Sequence, residues 1–168
     1  DALGRVRAIA PKGPQVWVAG DGGLFFSEDF GETWAPLSLN EGIGCLLLSR
    51  WPEADPTVFV ATAAGLLRSR DGGRTFSPTS LSGTGIHRLE WPGPSLVVAS
   101  DRGPLITTNE GDHFEGPGAG LPEGPVVAMA MSSYFVADPV LFVAPASGGV
   151  FRSGDGGKTY RSAGLEGE

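Results

Sequence analysis

SEDFGETW (27–34) decides the fold, because the same eight-residue word returns three times, as SRDGGRTF (69–76), TTNEGDHF (107–114) and SGDGGKTY (153–160). Its third position, Asp29, Asp71, Asn109 and Asp155, recurs at intervals of 42, 38 and 46 residues, so the 168-residue chain holds four units. The likeness continues upstream. VWVAGDGGLFFS (16–27), VFVATAAGLLRS (58–69), LVVASDRGPLIT (96–107) and LFVAPASGGVFRS (141–153) each carry an apolar run, a turn with Gly, a second apolar run and a hydroxyl residue. A further apolar run opens each unit: RVRAIA (5–10), IGCLLLS (43–49), IHRLEW (86–91) and VVAMAMS (126–132).

Short runs rich in Val, Phe and Leu and bounded by Gly, Pro, Asp and Ser read as strands. In the second unit the expected strands are 43–49, 57–62, 65–69 and 75–80. VVAMAMSSYFV is ambiguous by periodicity alone, and alignment with the other units makes it a strand. Four-stranded units of about 40 residues are propeller blades, which bury their faces by stacking on one another. The expected fold is all-β: a β-propeller of about four four-stranded antiparallel blades, over 1–40, 41–82, 83–122 and 123–168. A closed four-bladed ring, a half-ring that pairs with another copy and part of a larger propeller all fit the repeat.

The eight-residue word closes the hairpin between the third and fourth strands. Asp29, Asp71, Asn109 and Asp155 accept backbone N–H groups of the turn. Ser27, Ser69, Thr107 and Ser153 offer it a hydroxyl. Gly31, Gly73, Gly111 and Gly157 supply backbone freedom where the chain reverses. Trp34, Phe76, Phe114 and Tyr160 begin the outer strand.

This word resembles the Asp-box, or bacterial neuraminidase repeat, Ser-x-Asp-x-Gly-x-Thr-Trp. The copies at 27–34, 69–76 and 153–160 match well. The third departs at Thr107, Asn109, Glu110 and His113. SRWPEADPTVFVA (49–61) and SSYFVADPVLFVA (132–144) look like the strand-connecting segment of bacterial Asp-box propellers. The resemblance implies that the box residues are structural, at the blade periphery. It also implies a secreted, periplasmic or luminal location. Simple Asp-box propellers resemble the photosystem II assembly and stability factor family and the sortilin-type receptors, which implies a non-enzymatic scaffold with a protein partner. Sialidases and xyloglucanases use the same boxes, so a glycoside hydrolase fragment is the alternative. Neither the arginine cluster and Tyr–Glu pair of a sialidase nor the two-domain cleft of a xyloglucanase is visible. A lectin-like reading rests on Trp17 with Asp21 and Trp91 with Glu90; against it, Trp17 falls in an inner strand expected to pack in the core.

The totals narrow the classes further. A net charge of −7 gives no basic surface for a phosphate backbone, so no nucleic-acid partner is expected. The lone Cys45 cannot form an internal disulfide and reads as a small buried apolar residue. With two histidines and no CxxC, no zinc site is expected, and the box words lack the dense oxygen-ligand series of a calcium loop. No catalytic set and no cofactor are expected. No apolar run is long enough to span a membrane, and no basic-then-apolar leader opens the chain. Binding residues are expected on the loops opposite the boxes, at Asp21, Asp101, Arg102, Asn40, Glu41 and Glu123. Trp51 and Tyr134, paired aromatics on equivalent loops of the other face, form a second candidate contact. Self-association to complete a larger propeller is a further expectation.

Overall fold

The protein is described by a computed structural model over residues 3–49, 55–91 and 95–164. The described residues form strands and turns with no helix. Two compact units divide the chain at 85/86.

The first unit holds two antiparallel sheets of four strands. One runs β1 (Val6–Lys12), β2 (Gln15–Gly20), β3 (Gly23–Ser27) and β4 (Ala35–Pro36). The other runs β5 (Ile43–Leu48), β6 (Val58–Thr62), β7 (Gly65–Ser69) and β8 (Ser77–Ser82). The second unit begins with a three-stranded sheet of β9 (Ile86–Glu90), β10 (Leu96–Ser100) and β11 (Gly103–Thr107). It ends with β12 (Val126–Met131), β13 (Leu141–Pro145), β14 (Phe151–Ser153) and β15 (Arg161–Ser162). Each sheet is a meander in sequence order, as a propeller blade requires.

Burial follows position in the blade. The second strands VFVAT and LVVAS are buried at every residue and read as continuous apolar runs. The outer strands β4 and β15 are two residues long and exposed, which keeps the sheet edges short. The first strands of all four blades carry a bulge at matching places, Val6/Ala8, Ile43/Cys45, Ile86/Arg88 and Val126/Ala128.

One blade departs from the four-stranded expectation. Its outer strand is reduced to a single bridge, Ile106 to Glu115. The reason is in the sequence: Pro117 falls where the strand would continue, and a proline has no N–H to donate to the ladder.

Each unit has one core, built where its two blades meet. In the first, Trp17, Ala19, Leu24 and Leu39 pack with Ile43, Val58 and Val60. In the second, Val97 and Ala99 pack with Val126, Met129, Leu141 and Val143. Trp17 also stacks on Phe26 at 4.7 Å between ring centroids, and its indole N–H donates to the Gly72 carbonyl at 3.0 Å. Trp17 is therefore a core residue and presents no face to a sugar. Cys45, expected to be buried, is only half-buried on β5.

Candidate functional site

The repeated octads close the hairpins between the third and fourth strands. Ser27 Oγ donates to Asp29 Oδ1 at 2.7 Å and accepts the N–H groups of Asp29 and Gly31 at 3.3 and 2.8 Å. Asp29 Oδ1 accepts the Thr33 N–H at 2.9 Å, and Oδ2 accepts the Thr33 hydroxyl at 2.5 Å. The same bonds recur around Ser69, Asp71 and Thr75 and around Ser153, Asp155 and Thr159.

These bonds favour the charged carboxylate. The Thr33 hydroxyl, then its N–H and the Ser27 hydroxyl, hold Asp29 down at about 2. Thr75 does the same for Asp71, also at about 2. The Thr159 hydroxyl and N–H push Asp155 below the usual carboxylate range. A carboxylate so stabilised has no proton to give near neutral pH, and both its oxygens already accept hydrogen bonds. The octad acids are hairpin locks.

Their glycines have a second role. A Cβ on Gly73 would lie 3.1 Å from Leu37 and 3.5 Å from Trp17 of the preceding blade. One on Gly157 would lie 2.6 Å from Ile106 of the preceding blade. The fifth octad residue thus lets one blade settle on the next, besides holding a positive φ.

The opposite ends of the blades also carry exposed charges. Asp21, on the β2–β3 turn, pairs with Arg7 of β1 at 3.0 Å. Asp101, on the β10–β11 turn, pairs with His87 Nε2 of β9 at 2.7 Å. The two pairs occupy matching positions in the first blade of each unit. Residues 39–42 run beside the Asp21 turn: the Leu24 N–H donates to the Leu39 carbonyl at 3.0 Å, and a Cβ on Gly42 would lie 3.7 Å from the Asp21 carbonyl. Asn40 and Glu41 are exposed there. Arg102 and Glu123 line one shallow hollow of about 150 Å³ with Leu121. Tyr134 stands apart, exposed on the β12–β13 connection, where its carbonyl accepts the N–H groups of Ala137 and Asp138 at 2.8 Å. Trp51 lies outside the described residues.

Sequence reading did not find Arg7 and His87. The usable signal was their spacing, since each stands 14 residues before its acid. It also passed over a larger hollow of about 310 Å³ on the blade-four hairpin, lined by Arg152, Asp155, Thr159 and Arg161. A further hollow of about 190 Å³ lies between the two sheets of the first unit, lined by Trp17, Phe26 and Leu37 with Glu28 and Arg74. Among the described residues no three His, Cys, Asp or Glu side chains converge as metal ligands. No helix among them is long and apolar enough to cross a membrane.

No family model matches the chain, and no curated protein does. Solved structures do. An ancestral GH74 enzyme is 18% identical with a TM-score of 0.77, over 98% of this chain and 25% of that one. YCF48 from Cyanidioschyzon merolae is 17% identical with a TM-score of 0.66, over 94% and 55%. The extracellular domain of BT4673 from B. thetaiotaomicron is 14% identical with a TM-score of 0.73, over 96% and 22%. The chain spans about a quarter of the length of the first of these. At such identities the likeness establishes the fold, and this chain is a β-propeller protein.

Proposed function

We propose that the chain is a non-enzymatic scaffold that binds a protein partner through the loops opposite the octads. The octads are then Asp-boxes whose acids serve the fold, and the protein works outside the cytoplasm. The observation that carries this reading is the division of labour between acids. Asp29, Asp71 and Asp155 of the octads are consumed by their own hairpins, while Asp21 and Asp101 are exposed and held in place by Arg7 and His87. Exposed charges fixed on a rigid scaffold suit recognition, where complementarity sets specificity and encounter rate. YCF48 among the similar structures, and the extracellular domain of BT4673, support this role and this location. Asp21, Glu41, Asp101, Arg102 and Glu123 are the proposed contacts, with Tyr134 and Trp51 as a second set. The similarity to GH74 enzymes keeps glycoside hydrolysis as the competing activity to test.

The experiment is affinity capture on the immobilised chain, followed by titration with the purified, identified partner. The expected result is saturable binding that Asp21→Lys with Asp101→Lys abolishes while melting stays unchanged. Reducing-sugar release from xyloglucan, lost on replacing a single carboxylate, would replace this reading with the enzymatic one.

A further inference from the structure

The two units close the joint between their blades differently. In the second unit the segment after blade three pairs with the octad of blade four through its backbone. The Ala119 N–H donates to the Lys158 carbonyl at 3.0 Å, and the Tyr160 N–H donates to the Ala119 carbonyl at 2.8 Å. The approach is so close that a Cβ on Gly118 would run into the Gly157 carbonyl oxygen. In the first unit the corresponding segment carries Leu37 and Ser38, and a side chain makes the link: Ser38 Oγ donates to the Arg74 carbonyl at 2.5 Å. Phe76 is half-buried there, whereas its counterpart Tyr160 is 7% exposed. The joint of the first unit thus stays open at its octad end, as the hollow of about 190 Å³.

Three polar side chains border this hollow without a partner. Gln15 at the start of β2, Glu28 second in its octad and Arg74 sixth in the next make no side-chain hydrogen bond or ion pair among the described residues. Glu28 and Arg74 are exposed and opposite in charge, yet they do not pair with one another. Asp71 lines the hollow too, but its carboxylate is bonded to Ser69 and Thr75. The wall is apolar: Phe26 and Leu37 are half-buried, and Trp17 is buried with its indole N–H already given to Gly72. The polar set is particular to this unit. At the places of Gln15 and Glu28 the second unit has Ser95 and Thr108.

We infer that this hollow binds a free apolar amino acid as its zwitterion, with the ammonium on Glu28, the carboxylate on Arg74 and the side chain against Phe26 and Leu37. Size, charge and lining select that chemistry. Sites for drug-sized ligands begin at about 300 Å³, so this smaller hollow takes one small molecule. An occupant that meets a carboxylate and a guanidinium together needs both signs of charge. A neutral sugar or hydrocarbon has neither, and a peptide holds its two termini apart by the length of its chain. The guanidinium fork matches a carboxylate with two parallel hydrogen bonds, and an ammonium group donates to Glu28. The Gln15 amide both donates and accepts, so it serves either end of the zwitterion. The apolar wall favours a ligand with a side chain to bury. The site lies at the octad end and stands independently of the contacts proposed on the opposite loops.

NMR titration of the whole chain with L-leucine tests this, with glycine as the probe that lacks a side chain. The reporters are the Trp17 indole N–H and the Gly72 and Arg74 amides; the Gly156 and Lys158 amides of the second unit are the internal reference. Leucine is expected to shift the first set saturably, with a dissociation constant on the order of 1 mM for so small a ligand, and to leave the reference in place. Glycine binds about ten-fold more weakly. Glu28→Gln and Arg74→Gln each weaken leucine by roughly three- to ten-fold with melting unchanged, since both side chains are exposed. N-acetylleucine, without the ammonium, responds to Arg74→Gln and not to Glu28→Gln; leucinamide, without the carboxylate, shows the reverse. A folding defect cannot produce that crossed pattern. No shift at Trp17 throughout the millimolar range overturns the proposal. So does an equal response to glycine and leucine, or binding that neither variant weakens.

Discussion

The third octad and the other three do the same task with different parts. Thr107 Oγ1 donates to Asn109 Oδ1 at 2.7 Å and accepts the Gly111 N–H at 3.1 Å, as the serines do elsewhere. Asn109 Oδ1 accepts the His113 N–H at 3.0 Å, as the aspartates accept a threonine N–H. The hydroxyl-to-carboxylate bond at the seventh position has no counterpart, because His113 replaces threonine. The strand that follows dwindles to one bridge. The comparison separates what the turn requires from what strengthens it. A hydroxyl and a side-chain carbonyl oxygen close the hairpin; the charge and the second oxygen reinforce it.

The largest effect is expected at the shared part. Ser153 is fully buried and satisfies two backbone N–H groups, so Ser153→Ala strands both donors. The expected loss is about 2–3 kcal/mol, or roughly 5–10 °C of melting temperature. Thr107→Val costs a similar amount, and Thr107→Ser leaves stability close to the starting value. If Ser153→Ala melts with the wild type, the hydroxyl is not what closes the turn. A smaller effect of opposite sign follows from rebuilding the weak octad. Asn109→Asp with His113→Thr supplies the missing bond and raises the melting temperature by about 2–4 °C. No gain from the pair would mean that Pro117, and not the octad, limits this blade.

Acid separates the two classes of octad directly. Asp29 and Asp71 are held at about 2 when folded, below their ordinary value of 3.8. A carboxylate with a depressed folded value stabilises the fold above its unfolded value, and that stabilisation is lost as pH falls toward the folded one. The Thr33 and Thr75 amides, bonded to these carboxylates, therefore lose protection between about pH 4 and pH 2. The His113 amide, bonded to the uncharged Asn109, keeps its own. Hydrogen exchange followed by NMR across that window distinguishes them, and parallel loss at all three amides would refute an electrostatic cause.

The same contrast explains how much was legible in the residues. The octad spacing, the hydroxyl, the acid and the four apolar runs declare a blade, because each is a local requirement of a hairpin or strand. The shortened strand of blade three was equally local, written in Pro117, but repeat alignment smoothed it over. The Arg7–Asp21 and His87–Asp101 pairs depend on the register of two strands, and their shared 14-residue spacing is the trace that register leaves in the sequence. The packing role of Gly73 and Gly157 belongs to the neighbouring blade, so no inspection of the octad alone could show it.

The fourth octad position gives the smallest and most discriminating test. All four residues there sit in the left-handed region: Phe30 at φ 61°, Gly72 at 75°, Glu110 at 58° and Gly156 at 74°. At three of the four the cause is a shared hydrogen bond. The N–H of Phe30 donates to the Pro14 carbonyl at 2.9 Å, and those of Gly72 and Gly156 donate to Pro56 and Pro139 at 3.0 Å. That bond ties the octad to the start of the second strand and imposes the conformation whatever the side chain. A residue with a Cβ resists it by about 1–2 kcal/mol. Glycine recovers that energy but returns about 0.5–1 kcal/mol to the unfolded chain as entropy. Phe30 is largely exposed, so its removal sacrifices little burial. Phe30→Gly and Glu110→Gly should each raise the melting temperature by about 1–3 °C, whereas Gly72→Ala and Gly156→Ala should lower it. A fall on Phe30→Gly would show that the exposed ring holds something in place.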